Sequence, residues 1–443
     1  MIRTLFYIPI VLLLLEIGSG CRAPRCYDME RIDKLAFINA RVIPMTHDTL
    51  LEGHTVLIDN GLIEQMGPGA EVEIPRGYRV IDINGRYMMP GLTDMHVHLS
   101  DKRDMLRFLS HGITTVRHMS DLPWWANAMG FPSILELRQQ QREGRIAGPR
   151  IFTCGMTLDG QPPVSPMNQR ITSVKEARET VVGEKARGYD AIKLYDNLTF
   201  DVYKAIVCEA RRVGIPVAGH VPHAVPLDTI LKDKILSIEH LTGYIDNKTA
   251  GYTIDTARLE NYLALTRGSG VYNVPTLAVW ACMPPEDGLE KLKNDPRYKE
   301  LAWQVKWMWK TALPYYYQID YPDKANYTRQ MAQLTGRLAK RLSDAGCPLL
   351  IGTDTNIAGT YVGDATLLEM ELFVEYGIPV YETLRSATIL PAQALGVADE
   401  TGTVEPGKWA DLLILDQNPL TGIGYIRSTY GVYCNGVYWI AGR

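Results

Sequence analysis

The sequence predicts an α/β protein: a (β/α)8 barrel of the TIM type carrying a small β-sandwich built from both chain ends. Two observations predict it. Between residues 90 and 395, eight short apolar runs alternate with polar, helix-compatible stretches, as buried parallel strands joined by helices would. At both ends, short strand-like runs separated by turn signals occur without sizeable helices, so neither end can bury a core alone. The expected division is an export signal at 1–21, the sandwich from 27–89 with 396–443, and the barrel at 90–395.

The elements follow in chain order. Arg3 precedes an apolar run, Leu5–Leu15, that is shorter than the roughly 20 residues needed to span a bilayer. Gly18, Ser19 and Gly20 then lead to Cys21. This reads as a secretory signal, and the end resembles a bacterial lipoprotein cleavage site. The expectation is an exported chain, periplasmic or membrane-anchored through a lipid on Cys21, with a plain secretory signal or an uncleaved amphipathic start as the alternatives. In 34–89, Leu35–Ile38 and Thr55–Ile58 are bounded by Asp59-Asn60-Gly61 and Gly67-Pro68-Gly69, which predicts antiparallel strands. The barrel strands are expected at Leu92–Leu99, Ile113–Met119, Arg150–Gly155, Ala191–Tyr195, Pro216–Val221, Leu236–Leu241, Val271–Val279 and Leu349–Thr355. Ser173–Arg187 and Tyr203–Val213 supply helical spacing between them. The polar-aromatic stretch 281–330, with Trp303, Trp307, Trp309 and Tyr315–Tyr317, reads as an insertion or elongated helical loop near the mouth. It offers a lid or an oligomer contact, surface packing being the simpler reading. Asp411–Asp416 and Gly431–Trp439 close the chain as strands, with Asn435-Gly436 as a hairpin turn.

Composition narrows the function classes. The 443 residues are 46% hydrophobic and 22% charged, which excludes a disordered chain, a collagen-like chain and a multi-span membrane protein. A net charge of −4 argues against a nucleic-acid partner, and seven cysteines are too few for a disulfide scaffold.

The chemistry sits at the expected strand ends. In Asp94-Met95-His96-Val97-His98, period-two alternation puts His96 and His98 on one face, where two imidazoles can share a divalent cation. Lys193 interrupts an apolar strand, so it is neutral, paired (Asp196 is the near candidate) or snorkelling. A neutral amine near cations can add carbon dioxide and become a bridging carbamate. His220 and His240 each close an apolar run, and His240 follows His220 by 20 residues, a spacing suited to neighbouring β–α units. Asp354, in Gly352-Thr353-Asp354, can hold a metal and exchange a proton with its water. In a barrel all of these would meet at one mouth. His118, Tyr195, His223, Tyr244 and Tyr272 lie near strand ends, but read as structural packing.

These pieces resemble the amidohydrolase superfamily, within it the imidazolonepropionase-like and prolidase-like metal-dependent hydrolases. The resemblance is carried by Met89–Asp94 leading into the histidines, His111–Arg117, Gly148–Ile151, Gly219–Pro222, Ile238–His240, Gly352–Asp354, Thr388–Leu395 and Gly402–Leu412. It implies that His96, His98, Lys193, His220, His240 and Asp354 are metal ligands or catalytic groups, Asp354 and His240 being the catalytic pair. It also implies one or two divalent ions, zinc first, with Lys193 able to be carboxylated. The expected activity is hydrolysis of a non-protein carbon–nitrogen bond by a metal-activated hydroxide with Asp354 as proton shuttle, on a dipeptide, cyclic amide or acyl-amino acid. A deaminase, a lactone or ester hydrolase, and a non-catalytic exported binding protein are the alternatives, and a homo-oligomer stays open. The chain departs from relatives in having His118 after Arg117, where many carry aspartate.

Overall fold

The computed structural model describes residues 29–129, 132–246, 253–254, 256–283, 288–317 and 324–441. The expected export signal, with Cys21, lies outside the described residues, as do the side chains of Tyr315, Tyr316 and Tyr317.

Seven parallel strands form most of a barrel: Leu92–Val97, Ile113–His118, Arg150–Asp159, Ala191–Leu194, Val217–Gly219, Ser237–Glu239 and Tyr272–Val274, each hydrogen-bonded to the next. They are buried along nearly their whole length, which is why their sequences read as apolar runs rather than alternating ones. The eighth expected strand, 349–355, is not a regular strand. It closes the ring through isolated parallel bridges, Leu349 to Asn273 and Thr355 to Val97. Met95 N donates to Ile351 O at 2.8 Å and Leu350 N to Asn273 O at 2.9 Å. The irregularity has a local cause. Pro348 has no N–H to give, and the backbone turns sharply at Asp354, where φ is 55°. Gly352 lets the segment pack closely against the first and seventh strands: a Cβ there would lie 2.4 Å from Val274 Cγ1 and 3.0 Å from His96 Cβ. The seventh expected run, Val271–Val279, also splits, into the strand above and a helix, Leu277–Cys282.

The chain ends meet in a second, nine-stranded sheet. Tyr87–Pro90 pairs antiparallel with Leu412–Leu415, so hydrogen bonding runs continuously from the N-terminal strands into the C-terminal ones. Strand Lys34–Val42 changes partner at Asn39 (φ 56°), pairing first with Arg79–Asp82 and then with Tyr87–Met88. That change curls the sheet around its own core of Leu35, Phe37, Val56, Leu412 and Ile414. The alternate residues, Leu413 and Leu415, face the barrel instead, which is the period-two rule applied to a sheet buried on both faces. Asn435 and Gly436 both have positive φ, as a two-residue primed hairpin turn requires.

The insertion is helical: Leu289–Asn294, Pro296–Glu300 and Trp303–Tyr317, followed by Lys324–Asp344. Trp309 is fully buried, and its Nε1 donates to Asn356 O at 2.8 Å, whereas Trp303 and Trp307 are exposed. Asn356 Nδ2 donates in turn to His98 O at 2.9 Å. The insertion is thereby tied to the segment that carries Asp354. No helix among the described residues is long and apolar enough to cross a membrane.

Candidate metal centre

Five of the expected donors lie at or just past the carboxyl ends of barrel strands, and the sixth, Asp354, lies in the irregular segment that closes the ring. His96 is within the first strand and His98 just past it. Their Nε2 atoms lie 3.3 and 2.9 Å from Asp354 Oδ1. One ligand atom from each of these three residues falls within 4.8 Å of the others. His240 Nε2 is 3.9 Å from the other oxygen, Asp354 Oδ2. The His240 ring sits 4.7 Å from that of His96 and 4.9 Å from that of His220, so the four imidazoles form one continuous row. Lys193 is buried on the fourth strand, paired in register with Ala218 of the fifth, and it feels the carboxylates of Glu239 and Asp354. No side-chain hydrogen bond or ion pair holds its ammonium among the described residues.

Three of the imidazoles are oriented by second partners. His96 Nδ1 lies 2.7 Å from Glu239 Oε2, His220 Nδ1 2.7 Å from Asp196 Oδ1, and His240 Nδ1 2.7 Å from Thr276 Oγ1. A carboxylate only accepts, so His96 and His220 donate from Nδ1, which leaves the Nε2 of His96 facing Asp354 and the Nε2 of His220 as the atom free to bind a cation. His220 Nε2 is buried without a hydrogen-bond partner, the state of a lone pair waiting for a ligand. This donor set fits a divalent cation of the zinc type. Asp196, offered by the sequence as a partner for Lys193, serves His220 instead.

The electrostatics match. Burial lowers the pKa of His98 and His240, with Asp354 pulling the other way, so both imidazoles are neutral near pH 7. Burial would raise Asp354, but the adjoining His96 and His240 overcome it and hold the carboxyl well below the usual range. Burial lowers Lys193, against the pull of Glu239 and Asp354. Of ten non-glycine residues with positive φ among the described residues, His240, Leu241, Thr276 and Asp354 are at this site. Such backbone is costly and concentrates where side chains must be aimed.

Neighbouring residues divide as follows. His118 has both nitrogens committed: Nδ1 accepts from Leu99 N at 2.9 Å and Nε2 donates to Ser120 O at 2.7 Å, leaving nothing for a metal. Tyr195 stacks on His220 with ring centroids 4.1 Å apart. The Tyr244 hydroxyl is spent on Thr266, Tyr272 packs in an apolar cluster with Met95 and Val274, and the His223 side chain is exposed. Sequence reasoning quoted Glu239 and Arg117 within motifs but gave them no role. The only signal was a charged residue inside each of two apolar strands.

A parallel barrel whose strand ends bring histidines, a lysine and an aspartate together defines a barrel protein with a candidate metal site. The chain belongs to the amidohydrolase family, whose profile matches residues 87–260 and 319–438. It is 22% identical to the imidazolonepropionase of Phocaeicola vulgatus over 440 residues, covering 90% of this chain and 97% of that protein. It is 24% identical to the 5-methylthioadenosine/S-adenosylhomocysteine deaminase of Caldanaerobacter subterraneus, covering 86% and 84%. A shorter stretch is 38% identical to the imidazolonepropionase of Thermoplasma acidophilum, covering 20% of this chain and only 21% of that protein. Among solved structures, a Bifidobacterium longum protein described provisionally as a prolidase superposes with a TM-score of 0.71 at 25% identity, covering 94% and 96%. Bottromycin amidohydrolase shares the fold, with a TM-score of 0.73 at 23% identity over 92% of this chain and 87% of that one.

Proposed function

We propose that this chain is a metal-dependent hydrolase that cleaves a carbon–nitrogen bond in a small non-protein amide: a dipeptide, a cyclic amide or an acyl-amino acid. The observation that carries the reading is the convergence of the Nε2 atoms of His96, His98 and His240 on the two oxygens of one half-buried carboxylate, Asp354. His96, His98 and Asp354 would hold one cation, zinc being the best match, and Lys193, His220 and His240 a second. A bound divalent ion would polarise the scissile carbonyl and make a water acidic enough to attack near neutral pH. Asp354 takes the proton released at the attacking water and passes it to the departing nitrogen. Its second oxygen lies on the His240 side, away from the pair His96 and His98. His240 binds the second ion or steadies the substrate oxygen. Desolvation makes the free amine of Lys193 easier to reach, and addition of carbon dioxide would give a carbamate with loss of one proton.

Deamination is the second reading, and the deaminase relative, matched over most of both chains, favours it. One experiment separates the readings. The purified chain is stripped with a chelator, reloaded with zinc, and assayed against dipeptides, acyl-amino acids, cyclic amides and aminopurine nucleosides. Zinc-dependent release of an amino acid or ring-opened acid supports amide hydrolysis, whereas ammonia release from the nucleosides supports deamination. Absence of zinc-dependent turnover across all four classes, with fewer than one zinc bound per chain, would overturn both. We also infer export with a lipid on Cys21. Fractionation should find the chain with the membrane and the Cys21→Ala variant released from it.

A further inference from the structure

Arg117 and Glu239 are fully buried charges, and the catalytic steps above use neither. Arg117, on the second strand, donates from Nε to Met95 O at 2.7 Å, from Nη1 to Ser237 Oγ at 2.9 Å and from Nη2 to Glu239 Oε1 at 2.8 Å. Glu239 Oε1 also accepts from Ser237 Oγ at 2.5 Å, and Oε2 faces His96 Nδ1 at 2.7 Å. The second and sixth strands are not neighbours in the sheet, so the guanidinium spans the barrel interior. It grips the backbone immediately before His96 and, through Glu239, the residue immediately before His240. A buried ion pair across a core is poor evidence of stability, because desolvation offsets most of its attraction. Its detailed geometry therefore calls for another role.

We infer that Arg117 and Glu239 form a cross-barrel clamp of positioning residues: Glu239 fixes His96 as its Nδ1–H tautomer, and the pair sets the separation of His96 from His240. The two imidazoles are 4.7 Å apart, and they belong to opposite halves of the proposed centre. The clamp therefore matches the half held by His96, His98 and Asp354 to the half held by Lys193, His220 and His240. Both Glu239 oxygens are engaged, Oε1 by Arg117 and Ser237 and Oε2 by His96 Nδ1. Three of the five guanidinium N–H groups are placed by Met95, Ser237 and Glu239.

The inference rests on the cluster being a metal centre, so its test reads metal binding and tautomer rather than turnover. Zinc affinity is measured on the stripped full chain by competition with a chromophoric chelator, and the cobalt-substituted protein is examined by visible absorption. Glu239→Gln keeps the side-chain shape but cannot serve Arg117 and His96 together. It should weaken zinc binding on the order of 10- to 100-fold and move the cobalt bands. Arg117→Met should shift both in the same direction. In the stripped wild type, 15N imidazole signals should show His96 protonated on Nδ1, assigned by the signal lost in His96→Gln. A natively folded Glu239→Gln chain with wild-type zinc affinity and cobalt bands would overturn the clamp, and so would a His96 protonated on Nε2. Should Glu239→Gln not fold, the wild-type tautomer decides. A wild-type chain that binds no zinc overturns the metal reading itself, which is a different result from an unaltered variant.

Discussion

Asp354 is the residue on which the site turns, because its carboxylate reaches His96, His98 and His240 together. Asp354→Asn keeps the volume but removes the negative charge and the proton acceptor. Turnover should fall on the order of 10²- to 10⁴-fold, with zinc content reduced and the circular dichroism unchanged. His118→Asn is the contrasting change. His118 is pushed down to about 3 by burial, with nearby His98 adding to the effect, and both its nitrogens bond backbone. The variant should retain its zinc and lose stability of about 1 kcal/mol per hydrogen bond removed, read by chemical denaturation. The six donors were legible because each ends an apolar run, and a barrel brings all such ends to one mouth. Glu239, Asp196 and Thr276 were not. They act through the far nitrogen of a histidine, and the pairing of two residues such as His96 and Glu239, 143 positions apart, leaves no local trace in a single sequence.

Among the elements, the helix Val174–Arg187 carries a buried acid with no evident catalytic use. Glu184 points at Gly155 of the third strand, where a Cβ would come within 2.4 Å of its carboxyl carbon, and among the described residues its carboxyl oxygens find at most a weak backbone contact, to Met156. Burial pushes its pKa up to about 8, partly opposed by Arg187. The sign follows from linkage. Between the ordinary pKa of about 4.5 and about 8, the folded chain holds a proton that the unfolded chain has released. The contribution is therefore complete below pH 4.5 and is lost as pH rises through 8. Glu184→Gln should remove this slope, so the difference in Tm between variant and wild type should grow from pH 5 to pH 8.5 in the variant's favour, by on the order of 3 °C. A difference that stays flat with pH would show that Glu184 is already ionised in the fold. The same scale shows what periodicity could not supply. An apolar run at 349–355 looks like any other barrel strand, yet isolated bridges and single backbone hydrogen bonds, not a regular ladder, tie it to its neighbours, and its backbone turns at Asp354.

At the scale of the whole molecule, the joining of the two chain ends is legible in the sequence, since neither end can bury a core alone. The sequence does not show that they would share one continuous sheet, which depends on Leu412–Leu415 finding the open edge of Tyr87–Pro90. That sheet is joined to the barrel by apolar packing and by the partly buried ion pair of Arg150 with Asp411. Arg150, at the start of the third barrel strand, donates from Nε to Asp411 Oδ2 at 2.6 Å, and its guanidinium lies 3.9 Å from the Trp409 ring centre. Asp411 also accepts from Asn435 N at 3.2 Å, in the C-terminal hairpin turn. Its side chain is 1% exposed, so losing the arginine would strand a carboxylate between the two bodies. Arg150→Met should destabilise the fold by about 3–5 kcal/mol, most of it the cost of that unpaired charge. If so, the double variant Arg150→Met with Asp411→Leu should recover much of the loss, because both charges are then gone and the site is apolar. Thermal unfolding of the three proteins decides. A double variant no more stable than Arg150→Met would mean that the arginine stabilises the junction through Trp409 and its own packing rather than by neutralising Asp411.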